Sequence, residues 1–148
     1  MGDRDATETQ QRYAGYVHAH EVSKVKIEPE LYIPSPFTVA EARSDIKEFL
    51  QKNIAFDALF AASDLLAITA MGAITQAGMR IPQDVSVVGY DDVEPAAHSF
   101  PPLTTVRQPL NQAGVSLVDC LVQVMNGEKP ASQLLTTELI LRESTRAR

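Results

Sequence analysis

A chain of 148 residues, 45% hydrophobic and 22% charged, can bury a real core, and that usage argues against a disordered polypeptide. Thirteen Lys and Arg stand against nineteen Asp and Glu, and the net charge of −6 argues against an autonomous nucleic-acid binder, which needs a basic face for phosphate contacts. The single cysteine, Cys120, forbids an internal disulfide framework and a multi-cysteine zinc site. No apolar run approaches a membrane span and no charged-then-apolar leader opens the chain, so a soluble, cytosolic protein is expected; a processed exported protein would read the same way.

Residues 1–5 are polar and expected to be disordered, and no apolar strand opens the chain, as if it begins partway through a larger unit. A helix is expected from about Ala6 to Val22, with Arg12 near its start and Tyr13, Ala14 and Val17 at helical spacing. Leu31, Tyr32 and Ile33 read as a short strand closed by Pro34 and Pro36. Thr38 and Glu41 then form a capping-box pattern, and the helix behind it runs to about Lys52 with Ala42, Ile46, Phe49 and Leu50 on one face. Ala58 to Ala62 is a continuous apolar run of the kind buried on both faces of a parallel sheet. Ser63 or Asp64 caps a helix that ends at Gly78 and is apolar almost all round, which suggests a subunit contact.

Ile81-Pro82 is a turn, and Val85 to Tyr90 is the clearest buried strand, ending in Asp91-Asp92. A short helix is expected over Glu94 to His98, then a Pro101-Pro102 turn into a strand from Leu103 to Arg107. Pro109 suits a first helical position, and Leu110, Ala113, Leu117, Leu121 and Val124 share one helix face that stops at Gly127. Leu134 to Leu141 reads as a last strand, followed by a polar tail, Arg142 to Arg148, expected to fray. Strands alternating with helices predict an α/β fold with a parallel sheet flanked by helices.

Open parallel sheets bind ligands beyond the carboxyl ends of their strands. Three such ends carry polar groups: Ser63-Asp64, Asp91-Asp92 and Arg107-Gln108. A carboxylate at Asp91 suits adjacent hydroxyls or ring N–H groups, and Gly89 would let something approach the backbone closely. The alternatives are that Asp91 or Asp92 caps the short helix behind it, or that the acid pair binds magnesium or accepts a phosphoryl group, though no phosphate-cradling glycine loop accompanies it. Phe37 is either a helix staple or an exposed stacking platform. His18 and His20 are two apart and would not face each other on a helix, so no metal site is expected. Cys120 reads as a small buried hydrophobe. No nucleophile elbow, P-loop or dinucleotide fingerprint occurs, no cofactor is expected, and no base or nucleophile with a positioned partner suggests an enzyme.

The stretch Ala62-Ser63-Asp64, Ile81-Pro82-Gln83-Asp84-Val85-Ser86-Val87-Val88-Gly89-Tyr90-Asp91-Asp92 resembles the C-terminal half of the lactose/galactose-repressor family of transcriptional regulators. Pro102-Leu103-Thr104-Thr105-Val106-Arg107-Gln108-Pro109 is similar to the segment with which that family crosses back between its lobes, and Arg12-Tyr13-Ala14-Gly15-Tyr16 resembles its R-x-x-G-[FY] helix. The resemblance implies a type I periplasmic-binding-protein-like effector domain, mainly its C-terminal lobe. It places that lobe over residues 6–103, the segment returning to the other lobe over 104–129, and the final strand and tail over 130–148. It implies a small-molecule effector, usually a sugar, held by Arg12, Phe37, Ser63, Asp91 and Gln108. Ser63 stands where relatives often have Asn. It also implies a homodimer through Leu65, Ile68, Met71 and Phe100, with operator DNA met only through an N-terminal helix-turn-helix that has no counterpart in this sequence. The helix after Pro109 would then expose its apolar face. An exported sugar-binding protein with the same lobes is the alternative.

Overall fold

A parallel three-stranded ladder forms the centre of the structure. The computed structural model describes residues 7–34 and 38–146. The expected disorder over residues 1–5 lies outside that range. Strands β1 (Ala58–Phe60), β2 (Ser86–Asp91) and β3 (Thr104–Arg107) run parallel, with Leu59 opposite Val87 and Gly89 opposite Thr105. Strand β4 (Glu138–Ile140) is added antiparallel to β3, so the sheet has the order β1-β2-β3-β4 and is mixed at that edge. The expected last strand shortens because β4 pairs only with Thr105, Val106 and Arg107 of a four-residue neighbour. Residues 104–107 form β3 inside this sheet, where the sequence predicts a strand over Leu103 to Arg107.

Helix α1 (Thr7–Ser23) precedes the sheet in the chain. Helix α2 (Val39–Gln51) starts at Thr38, whose hydroxyl oxygen accepts the Glu41 N–H and whose hydroxyl proton goes to the Glu41 carboxylate. Its Ala42, Ile46 and Phe49 are buried, as the spacing predicts. They meet helix α3 (Asp64–Gln76), which lies on β2 and is capped by Ser63 through the Leu66 N–H. Alanines 67, 70 and 73 are buried on α3, and small side chains at a contact let packed elements approach closely. Leu66, Met71 and Ile74 of α3, Val85, Val87 and Leu103 complete the core. Met71 is only 3% exposed, so its expected place on a subunit surface is corrected: it fills the interior. Leu65, at 51%, and Phe100, at 96%, face outward.

Helix α4 (Glu94–His98) links β2 to β3, and α5 (Leu110–Met125) follows Pro109. No residue of α5 is buried, and Leu110, Leu117, Leu121 and Val124 lie exposed along it. Leu31 to Ile33 do not form the expected strand: a single 3-10 turn covers Pro29–Leu31 and the chain then runs extended outside the sheet. A strand needs a partner, and this segment is separated from the outer edge of β1 by a cavity that both line.

The tail departs most from expectation. Ser144 has no exposed surface. Its Oγ accepts the Thr104 N–H at 2.7 Å and donates to the Val87 carbonyl at 2.6 Å, while its own carbonyl accepts the Val87 N–H at 2.8 Å. Val88 is the first β2 residue with a partner on β3, so Ser144 fills the ladder position beside Val87 that β3 does not reach. Arg142 and Arg146 are tied to the Leu103 and Gln83 carbonyls. Ser144→Ala removes a buried donor and acceptor together, so a loss of about 2 kcal/mol or more in urea-denaturation stability is expected.

Candidate functional site

The carboxyl ends of the parallel strands bring most of the candidate residues to one rim. Ala62 and Ser63 follow β1, Tyr90 and Asp91 close β2, and Gln108 follows β3. On α1, Thr9, Arg12, Tyr13 and Tyr16 share one face by their three- and four-residue spacing, and that face is turned to β1. The Arg12 Nη1 donates to the Ala62 carbonyl at 2.6 Å, and its guanidinium carbon lies 4.0 Å from the centroid of the Tyr90 ring. An arginine held by a carbonyl and an aromatic face is fixed in orientation, and its remaining N–H groups are directional donors. Phe37 lies outside the described residues.

Asp91 and Asp92 divide the work of the acid pair. Asp92 is nearly buried and receives two guanidiniums, Arg107 Nε at 2.6 Å and Arg142 Nη2 at 2.5 Å. Burial pushes its carboxyl up, but the two arginines outweigh this and hold it below the usual carboxylate range. Asp91 takes one side-chain hydrogen bond, from Gln108 Nε2 at 2.6 Å, and a carboxylate can accept about four. Neither acid caps α4, whose N-cap is Val93 without a side-chain cap. Both stand in the left-handed region, at φ 120° for Asp91 and 58° for Asp92, a conformation that must be held by its surroundings.

Beneath the rim sits Asp64, which the sequence offers as a helix cap and as part of one polar strand end. Asp64 has no exposed surface. Its Oδ1 accepts the Thr105 hydroxyl at 2.5 Å and its Oδ2 accepts the Val93 N–H at 2.9 Å. Burial pushes its carboxyl above the usual range; the Thr105 and Val93 hydrogen bonds pull it back, and the charge of Asp91 pushes it up again. A Cβ on Gly89 would collide with Asp64 Oδ1 and lie 2.9 Å from Leu103 Cδ2. What approaches the backbone at Gly89 is therefore a carboxylate of the same chain.

A cavity of about 110 Å³ lies beside the outer edge of β1 rather than over the rim. Arg12, Tyr13, Tyr16, Tyr32 and Phe56 line it; Ser63, Asp91 and Gln108 do not. Arg12 and Asp91 thus reach the same rim and are joined through Tyr90, but they do not share this hollow. Ser63 is engaged as the cap of α3. Among the described residues no group of three or more His, Cys, Asp or Glu could hold a metal ion. His20 is spent on the Tyr16 carbonyl through Nδ1 at 3.1 Å, and Cys120 is half-buried on α5. No helix among the described residues is long and apolar enough to cross a membrane.

Comparison with known proteins matches residues 1–145 to the periplasmic binding protein-like domain. The HTH-type transcriptional regulator CelR of Thermobifida fusca is 35% identical over 145 residues, which is 97% of this chain and 43% of that protein. The solved transcriptional regulator CelR–cellobiose complex superposes with a TM-score of 0.91 at 34% identity, covering 97% of this chain and 44% of that one. The lac repressor dimer bound to operator and an anti-inducer gives a TM-score of 0.87 at 30% identity, over 99% of this chain and 51% of that one. The chain spans less than half the length of the curated relatives it matches.

Removing Arg142 is expected to leave Asp92 with one guanidinium. In Arg142→Met, a carboxyl-carbon NMR titration is expected to show Asp92 moving up toward the ordinary aspartate range. Asp92 stabilises the fold above its unfolded pKa and loses that contribution as pH falls through its depressed folded value, so the variant should gain less stability than the parent between those two points.

Proposed function

Because this chain belongs to the family of periplasmic binding protein-like domains carried by the lactose/galactose-repressor regulators, we propose that it is the effector-binding and dimerisation region of a sugar-responsive bacterial transcriptional regulator working in the cytoplasm. The observation that carries the reading is the split of the acid pair. Asp92 is consumed by Arg107 and Arg142, while Asp91 stays half-exposed at the rim with acceptor capacity left over. A carboxylate with free lone pairs takes two neighbouring sugar hydroxyls, and the Arg12 guanidinium beside Tyr90 offers donors to a hydroxyl or ring oxygen. Gln108 orients Asp91, Ser63 supplies a further polar group at the end of β1, and Phe37 offers a ring for stacking.

The unpartnered α5 suits the segment that passes to a second lobe, so that the rim forms one wall of a two-sided cleft. Ligand between the walls would favour one placement of the lobes, by no more than its difference in affinity for the two placements. A dimer would transmit that placement to operator-binding heads at the other end. No step of this function requires chemistry on the ligand. The outward Leu65 and Phe100, with half-buried Ile68, supply the apolar surface for the subunit contact.

Calorimetry of the full-length regulator against cellobiose and a panel of mono- and disaccharides tests the ligand reading. Asp91→Asn, which suits a positive φ better than alanine, is expected to weaken the sugar that binds by about tenfold or more, as loss of one or two charge-assisted hydrogen bonds implies, with the fold retained. Unchanged affinity would remove Asp91 from the site. For the subunit contact, sedimentation at micromolar concentration is expected to show a dimer for the parent and a monomer for Leu65→Asp; identical profiles would place the contact elsewhere.

A further inference from the structure

We infer that Asp64 is the positioning residue for the ligand-facing turn: from a wholly buried place behind the rim, its carboxylate fixes Asp91 and Asp92 in their left-handed conformation. The inference rests on the reading of Asp91 as a ligand contact and adds a residue that no ligand would touch.

The geometry is that of a three-way tie. Asp64 stands in the first turn of α3, and its two oxygens reach different elements. One takes the hydroxyl of Thr105, in the strand beside β2; the other takes the amide of Val93, the residue immediately after the acid pair. Thr105 is the register partner of Gly89, two residues before Asp91. The carboxylate therefore bears on both sides of the turn. Gly89 is the space it needs, since any side chain there would collide with Oδ1. On the outer side the turn is held by Gln108 on Asp91 and by Arg107 and Arg142 on Asp92.

Two consecutive non-glycine residues at positive φ persist only when neighbouring contacts over-determine them. The outer contacts grip side chains. Asp64 is the side chain that grips the backbone leaving the turn. Without it the Val93 amide and the Thr105 hydroxyl lose their acceptor, and the turn can relax toward ordinary backbone angles. That relaxation would move the Asp91 carboxylate away from the position that meets a ligand.

Amide exchange and sugar binding together test this. Asp64→Ala is compared with Ile74→Ala, a core truncation on the same helix but away from the turn, and with Asp64→Asn, whose amide can accept from Val93 and donate to Thr105. The exchange experiment needs no ligand. The Val93 amide is expected to exchange about tenfold or more faster in Asp64→Ala than in Ile74→Ala at equal global stability, with most of the protection restored in Asp64→Asn. Equal exchange in the two alanine variants would overturn the inference. In the full-length protein, cellobiose affinity measured by calorimetry should fall about tenfold in Asp64→Ala, stay near the parent value in Ile74→Ala and recover in Asp64→Asn. Parent-like binding in Asp64→Ala would also overturn it. Localised exchange in a protein whose parent form ignores cellobiose would uphold the role of Asp64 in the turn and count against cellobiose as the effector.

Discussion

A carboxylate without solvent must have its lone pairs filled by donors, and the whole rim of this sheet is arranged around that requirement at Asp64. The donors come from Thr105 and Val93, so satisfying the acid brings α3, β3 and the end of β2 to fixed distances. Gly89 provides the room. Once these are in place, Tyr90 is set for Arg12 and Asp91 for Gln108. The polar groups at the end of β2 are thus tied to α3 and β3 through a buried acid beneath them.

Local signals were enough for much of the fold. The apolar run ending in Gly89-Tyr90, the capping pair Thr38 and Glu41, the short helix at Glu94 and the face of α2 all follow from spacing and capping chemistry, which act within a few residues. What escaped depends on partners distant in the chain. Ser144 looks like a frayed-tail residue by composition, yet its place is set by Val87 and Thr104, at least forty residues earlier. Leu31 to Ile33 have the composition of a strand, but pairing is decided by what lies beside them, and there a cavity intervenes. Met71 fits an outward apolar stripe as well as an inward one, and only the packing of α2 against α3 separates the two.

The candidate site shows the same boundary. The sequence set Asp91 and Asp92 together at one strand end and favoured Asp91 for a ligand, with capping by either acid left open. Their difference comes from Arg142, fifty residues on, which joins Arg107 on Asp92 and leaves Asp91 to Gln108. Arg12 could be placed from its own motif only by resemblance; its contact with Tyr90 is a tertiary fact. Asp64 was visible as a helix-start residue, and that reading is correct as far as it goes. Its second role requires knowing that Thr105 and Val93 lie within reach.

The two buried acids act on stability in opposite directions. Asp92, held below the usual range by its arginines, contributes stability that is present above its unfolded pKa and lost as pH falls through the folded value. Asp64, pushed above the usual range chiefly by burial, binds a proton more readily folded than unfolded, so it favours the fold at low pH and loses that contribution as pH rises through its folded value. Burial is thus an electrostatic cost to the charged form of Asp64 in the folded state. An apolar residue of similar size would avoid that cost, as replacing buried charges often does. Such a residue could not accept the Val93 amide or the Thr105 hydroxyl, and the buried Thr105 would lose its acceptor. The acid is best understood through the strained turn it holds, where conformation at the rim matters more than the stability given up beneath it.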